Sequence, residues 1–241
     1  MGLVAVTFDF WGTLYQNAYY TEERLHLLGD ALEQHGESRA WAELEAAYGS
    51  AWSVWLQVWR SEQRSIPVGR WVNELLGYLG VHLPDDGKQA LGEAMETAYL
   101  HGERPSPIAG VTDVVPRLAE RFPLGLISDT GLTPGRVLRE VMGRDGLLSH
   151  FQVLTFSDEL GVAKPQPKPF LHTLRLLGVG PEEAAHIGDL PETDLVGARG
   201  VGMKTVLFLG ESGRADGLPL ADAVFEDYAE LPELLEALGR A

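Results

Sequence analysis

Five short apolar runs set the frame of this chain. Leu3–Phe8, Leu124–Ile127, Ala184–Ile187 and Lys204–Leu209 are nearly continuous in Val, Leu, Ile and Phe, and Val153–Phe156 is a shorter fifth. Runs of four to six apolar residues without alternation are the pattern of strands covered on both faces, which means a parallel sheet. Helix-like segments lie between them, at 110–121, 135–142, 168–177 and 193–199. Strand and helix in alternation specify an α/β fold, a doubly wound parallel sheet with right-handed crossovers.

The stretch from Tyr20 to Gly102 breaks this alternation. Its apolar residues recur at three- and four-residue spacings: Leu25, Leu28 and Leu32; Trp41, Leu44, Tyr48, Trp52, Trp55 and Trp59; Trp71, Leu75 and Leu79; Leu91, Met95 and Tyr99. Each set is one face of a helix. The expected organisation is therefore an α/β core of residues 1–15 and 105–241, with residues 16–104 inserted after the first strand as a helical bundle. Five of the six tryptophans fall in the insert, where large aromatics at helical spacing fill interhelical interfaces or roof a site.

In an open parallel sheet, ligands bind beyond the carboxyl ends of the strands. Polar residues stand at four of those ends: Asp9 in FDFWGTL, Ser128 and Asp129 in LISDTG, Lys164 in GVAKPQPKPF, and Asp189 with Asp194 in IGDLPETD. Singly, an aspartate in a strand-to-helix loop is often a helix cap. Together the four ends make one coherent chemistry. A carboxylate can attack an electrophile and form a covalent intermediate that water hydrolyses. Two carboxylates converging from different strands suit a hard cation such as Mg²⁺. A hydroxyl and a lysine beside them would hold the oxygens of a transferring phosphoryl group.

These four motifs, in order and over the whole chain, resemble those of the haloacid dehalogenase superfamily of hydrolases, with the helical insert in the place of the family's cap. The resemblance implies Asp9 as nucleophile, Lys164 as the charge that stabilises it, and Ser128 as a substrate-binding hydroxyl. Asp129, Gly12 and Thr13 are expected beside the substrate. The implied metal, Mg²⁺, would take Asp9, Asp189 and the backbone carbonyl of Trp11, with Asp194 behind them.

Trp11 departs from the pattern. The family's phosphatases carry an aspartate there, which protonates the leaving oxygen and later activates water. Indole can do neither, because its N–H is a donor only. The dehalogenases carry a tyrosine there and need no metal, so Trp11 pulls toward metal-independent 2-haloacid dehalogenation. Asp189 pulls back, and so does the lack of arginine in AELEAAYGSAWSVW, where the dehalogenases place one early in the cap; Arg39 and Arg60 only flank it. The balance favours a Mg²⁺-dependent phosphatase acting on a small anionic phosphate ester. A 2-haloacid dehalogenase and a degenerate, non-catalytic binding module remain as alternatives.

Composition narrows the partners. The net charge of −16 and the absence of any Lys/Arg cluster argue against nucleic acid. No run approaches the ~20 apolar residues of a membrane span. The chain has no cysteine, which excludes thiolate chemistry and disulfides and fits a cytoplasmic protein. GARGVGMKT, at 197–205, approximates a phosphate-binding loop but has Met203 in place of the required lysine and precedes a strand. His186 is expected to be a packed strand residue and the acidic 226–236 segment a solvated helix face.

Overall fold

The computed structural model describes residues 2–102 and 104–240. Met1 and Ala241, the outer limits expected for the core, and Glu103, within the 16–104 insert, lie outside the described residues.

Six parallel strands form one sheet: β1 (Ala5–Phe8), β2 (Leu124–Ser128), β3 (Val153–Phe156), β4 (Ala184–Gly188), β5 (Lys204–Phe208) and β6 (Ala223–Phe225). Their order is β3-β2-β1-β4-β5-β6. The five apolar runs thus become five strands, and the sixth, AVF, is too short to stand out by periodicity. The chain winds outward from β1 to β3, then returns to pair β4 on the other side of β1. Phe8 is in register with Leu126 on one side and Ile187 on the other. The direction of winding reverses between β1 and β4, so a crevice opens beyond their carboxyl ends.

Among the described residues, ten α-helices complete the fold. Of these, α1 (Thr21–Gln34), α2 (Trp41–Glu62), α3 (Val68–Leu79) and α4 (Asp85–His101) follow β1. The others are α5 (Val111–Ala119), α6 (Gly135–Arg144), α7 (Ser157–Leu160), α8 (Pro167–Leu177), α9 (Val196–Val201) and α10 (Leu231–Leu238). Alternation along the strands divides the sheet's packing. Val6, Phe8, Leu126 and Ile187 join α5, α6 and α10 on one face. Ala5, Ile127 and Ala184 meet Phe170, Leu174 and Ala198 of α8 and α9 on the other. The 226–236 segment is less solvated than its charges imply, because Tyr228, Leu231 and Leu235 are buried in that first core.

Helices α1 to α4 enclose a separate hydrophobic cluster built on Leu25, Leu28, Leu32, Trp71, Leu75, Leu91 and Met95. Local signals mark their ends. Glu43 accepts the Ala40 amide at the start of α2, Pro67 and Pro84 precede α3 and α4, and Asp85 and Asp86 sit in the first turn of α4. Among the described residues no helix is long and apolar enough to cross a membrane.

Candidate active site

The crevice floor is a buried charge network. Hydrogen bonding of the Asp9 amide to the Ile187 carbonyl, at 2.8 Å, fixes the end of β1 against β4. Lys164 Nζ then bridges two carboxylates, Asp9 Oδ1 at 2.5 Å and Asp194 Oδ1 at 2.6 Å. Asp194 is carried back under the sheet end by a π-turn, Pro191–Leu195, and has 0% exposure. Its second oxygen accepts the Leu190 amide at 3.0 Å, while His186 Nε2 lies 3.3 Å from the first. His186 in turn meets Thr7 Oγ1 at 2.9 Å, so this histidine, though packed in β4 as expected, belongs to the network. A Cβ at Gly188 would lie 2.3 Å from Asp194 Cγ, so only glycine lets the carboxylate tuck in.

These charges are unequal in their compensation. Burial alone would raise Asp194, but Lys164 and then His186 overcome it and hold the carboxyl near 2. Burial would likewise lower Lys164; Asp194, Asp9 and Asp129 outweigh it, and the ammonium is retained. Asp9 is pushed up to about 7 by burial in spite of Lys164. Asp189 is pushed up to about 8 by burial, with the charges of Asp9 and Asp194 adding to it. Lys164 and Asp194 therefore form the settled ion pair. Asp9 and Asp189 are left without a full counter-charge of their own, which is why both hold their protons toward neutral pH.

Two under-compensated carboxylates side by side could hold a cation. Asp9, Asp189 and Asp194 each offer an oxygen within 4.8 Å of the others. Both oxygens of Asp194 are taken by protein donors. Asp189 accepts one long bond, from Thr13 Oγ1 at 3.4 Å. The donor set is all oxygen and fits a hard divalent ion, with Asp9 and Asp189 as its carboxylates.

The turn after Asp9 serves Asp189. Gly12 has φ 71°, and a Cβ there would lie 2.5 Å from Asp189 Oδ2 and 3.0 Å from Asn17 Nδ2. Thr13 is fixed by Tyr228, whose hydroxyl donates to the Thr13 carbonyl at 2.6 Å. Trp11 packs edge-on against Phe10, with ring centres 4.8 Å apart, and against Tyr99 of α4 at 5.7 Å.

Above the floor lies a cleft of about 290 Å³. Asp9, Trp11, Asp129, Lys164 and Asp189 line it, and α2 adds Trp52, Trp55 and Trp59. Ser128, Gly12, Thr13 and Asp194 are buried but do not line it. Ser128 Oγ is turned toward the Asp129 carbonyl, 3.5 Å away. Asp129 is engaged on both oxygens, by the Trp59 indole N–H at 2.9 Å and the Lys164 amide at 3.0 Å. One carboxylate thus ties the loop after β2 to the Lys164 loop and to α2. Gln63, at the end of α2, adds its carbonyl as acceptor for the Ala163 amide at 2.7 Å.

AELEAAYGSAWSVW carries no arginine, but the helical insert brings one to the site from outside that stretch, Arg24. It projects from the first turn of α1 into this cleft, at 2% exposure. Arg39 pairs with Glu37, and Arg60 is exposed. The available signal was helical phase: Arg24 stands one turn before Leu28 on the buried stripe of α1, where a lone charge needs a reason. The Trp59 to Asp129 bond had no such signal, because it joins elements 70 residues apart.

Comparison with known proteins places this geometry. A glyceraldehyde 3-phosphate phosphatase of Methanopyrus kandleri is 30% identical over 204 residues, 84% of this chain and 82% of that protein. One from Pyrococcus furiosus is 45% identical over 92 residues, which span only 37% of this chain and 38% of that relative. The structure of a 2-haloacid dehalogenase from Pseudomonas syringae pv. Tomato DC3000 superposes with a TM-score of 0.71 at 26% identity, covering 98% of this chain and 99% of the other. A phosphatase of the same family from Thermococcus onnurineus gives 0.65 at 27%, over 97% and 98%. Residues 3–202 match the family model, and the chain belongs to the haloacid dehalogenase-like hydrolases.

Proposed function

We propose that this hydrolase is a Mg²⁺-dependent phosphatase of small phosphate esters, with residues 16–104 as its cap and Asp9 as its nucleophile. The observation that carries the reading is Asp189, buried beside Asp9 with no cation left to balance the pair, since Lys164 is shared with Asp194. Displacement of halide from carbon has no use for that second carboxylate. The Methanopyrus kandleri phosphatase, 30% identical over 84% of the chain, supports the same choice.

Asp9 would attack phosphorus through the oxygen not held by Lys164, forming an acyl phosphate as the ester oxygen departs. Water then cleaves the acyl phosphate and restores Asp9. Lys164 holds Asp9 in place and offsets charge on the transferring group. Ser128 would receive a phosphoryl oxygen once its Oγ rotates from its long contact with the Asp129 carbonyl; the Gly12 amide is already given to the Tyr15 carbonyl at 2.7 Å. Mg²⁺ held by Asp9, Asp189 and the Trp11 carbonyl would supply positive charge to those oxygens. Trp11 offers no proton to the leaving group, so esters of acidic alcohols are the better substrates.

A second reading, 2-haloacid dehalogenation, is favoured by the aromatic at position 11 and by the Pseudomonas syringae structure. One assay separates the two: 4-nitrophenyl phosphate and 2-chloropropionate, each with Mg²⁺ and with EDTA, using wild type and Asp9→Asn. Phosphate release that needs both Mg²⁺ and Asp9 supports the phosphatase. Chloride release in EDTA establishes the dehalogenase, and inertness toward both substrates leaves a binding module.

A further inference from the structure

Arg24 is the one arginine among the described residues that is fully buried, and no carboxylate pairs with it. Its three hydrogen bonds go to neutral acceptors: Nε to the Met95 carbonyl at 3.2 Å, Nη1 to the Tyr19 carbonyl at 2.8 Å and Nη2 to Thr133 Oγ1 at 2.7 Å. The Tyr99 ring lies 5.2 Å from the guanidinium carbon. The Tyr99 hydroxyl is a further neutral hydrogen-bond partner, so every group that meets the guanidinium is a dipole and none is a carboxylate. A buried guanidinium solvated only by dipoles carries its full charge into the cleft it lines. That cleft also holds Asp9, Asp129 and Asp189, and its wall is aromatic, with Trp55 and Trp59 stacked at 5.6 Å.

We propose that Arg24 is the specificity-determining residue of this site: it binds a carboxylate on the substrate, which is a phosphate monoester with a flat, apolar body between its two anionic ends. The assignment rests on the phosphatase reading for the phosphoryl end only. The acids of the floor repel a carboxylate, so the molecule enters with its phosphoryl group toward Lys164 and the cation. Its carboxylate then meets the planar fork of Arg24, a buried charge that no protein carboxylate offsets and that would exchange dipoles for an anion. The body lies against tryptophan. Arg24 touches substrate away from the reacting atoms, so its loss acts on discrimination and leaves the chemistry in place.

The test compares 4-carboxyphenyl phosphate with its 4-carbamoyl analogue, which has the same shape and no charge at that end. The wild type is expected to favour the carboxylate by about tenfold or more in kcat/KM, the worth of a charge-assisted contact. Arg24→Gln should erase the preference while still hydrolysing the carbamoyl ester. Lack of preference in the wild type, or a preference kept by folded Arg24→Gln, overturns the proposal. Arg24 also joins α1 to α4 and to Thr133; if Arg24→Gln does not fold, Arg24→Lys decides, a reduced preference supporting the proposal and an unchanged one refuting it. Calorimetric binding of the corresponding phosphonates separates the two readings. Carboxylate-selective, Arg24-dependent binding without turnover of either ester would leave this assignment standing and remove the phosphatase reading; unselective binding overturns the assignment.

Discussion

At the carboxyl end of the sheet, Asp9, Asp189 and Asp194 crowd around a single ammonium, and each group's charge depends on its neighbours. Above them, α1, α2 and α4 contribute indoles, Tyr99 and a lone guanidinium held by neutral acceptors. The floor is a coupled electrostatic unit, so removing one member changes the rest. The roof is a set of separable contacts, which can be altered one at a time with graded results. On the proposed reading, chemistry is lodged where substitution is costly, and selection of substrate where it is cheap.

The contrast breaks most visibly at Asp9. Asp9→Asn should lower kcat by ~10⁴ or more, as loss of a covalent nucleophile does, with the fold retained by circular dichroism. Lys164→Met tests whether the floor is one unit. It leaves Asp9 and Asp194 buried without their cation, and urea unfolding should show a loss of about 3–5 kcal/mol along with loss of turnover. Next comes Trp11. With no general acid, 4-nitrophenyl phosphate should outpace a simple alkyl phosphate by a further ~10²–10⁴ relative to an enzyme that has one. Equal rates would reveal a proton donor elsewhere in the roof.

Proton competition gives a smaller effect of definite sign. Asp9 and Asp189 are raised to about 7 and about 8, above the carboxyl range of an unfolded chain. Without a cation, folding therefore takes up protons. Stability from these groups is full below ~pH 4 and is lost as the pH rises through their folded values. Mg²⁺ binds the ionised forms, so the Mg²⁺ needed for half-maximal activity should fall by about tenfold or more between ~pH 6 and ~pH 8. The rise in Tm caused by Mg²⁺ should grow over the same interval. A Mg²⁺ requirement independent of pH would contradict the competition between proton and cation at this pair. The smallest change belongs to the roof. Trp59→Phe keeps the stack on Trp55 but removes the donor to Asp129, and should raise KM by about fivefold, the worth of roughly 1 kcal/mol, with kcat little altered.

The same division explains what could be read from sequence. Strand runs are local and apolar, so Asp9, Ser128, Lys164 and Asp189 were legible as strand ends, and their convergence follows from parallel topology. Orientation is not local. Gly12 and Thr13 read as substrate neighbours, yet they are packed on Asp189, and Asp129 is spent on Trp59 and the Lys164 amide. The roof hid more, because Arg24 acquires its place only when α1 packs on α4 and reaches Thr133.

Acid-quenched mass spectrometry tests the central claim most directly. After the enzyme is mixed with 4-nitrophenyl phosphate and Mg²⁺, the peptide containing Asp9 should carry a phosphoryl group. The label should accumulate during turnover, because Trp11 cannot activate the water that removes it, and Asp9→Asn should show none. Turnover with Asp9 unlabelled at every quench time would contradict the account, as would a carbon adduct formed on Asp9 from 2-chloropropionate in EDTA.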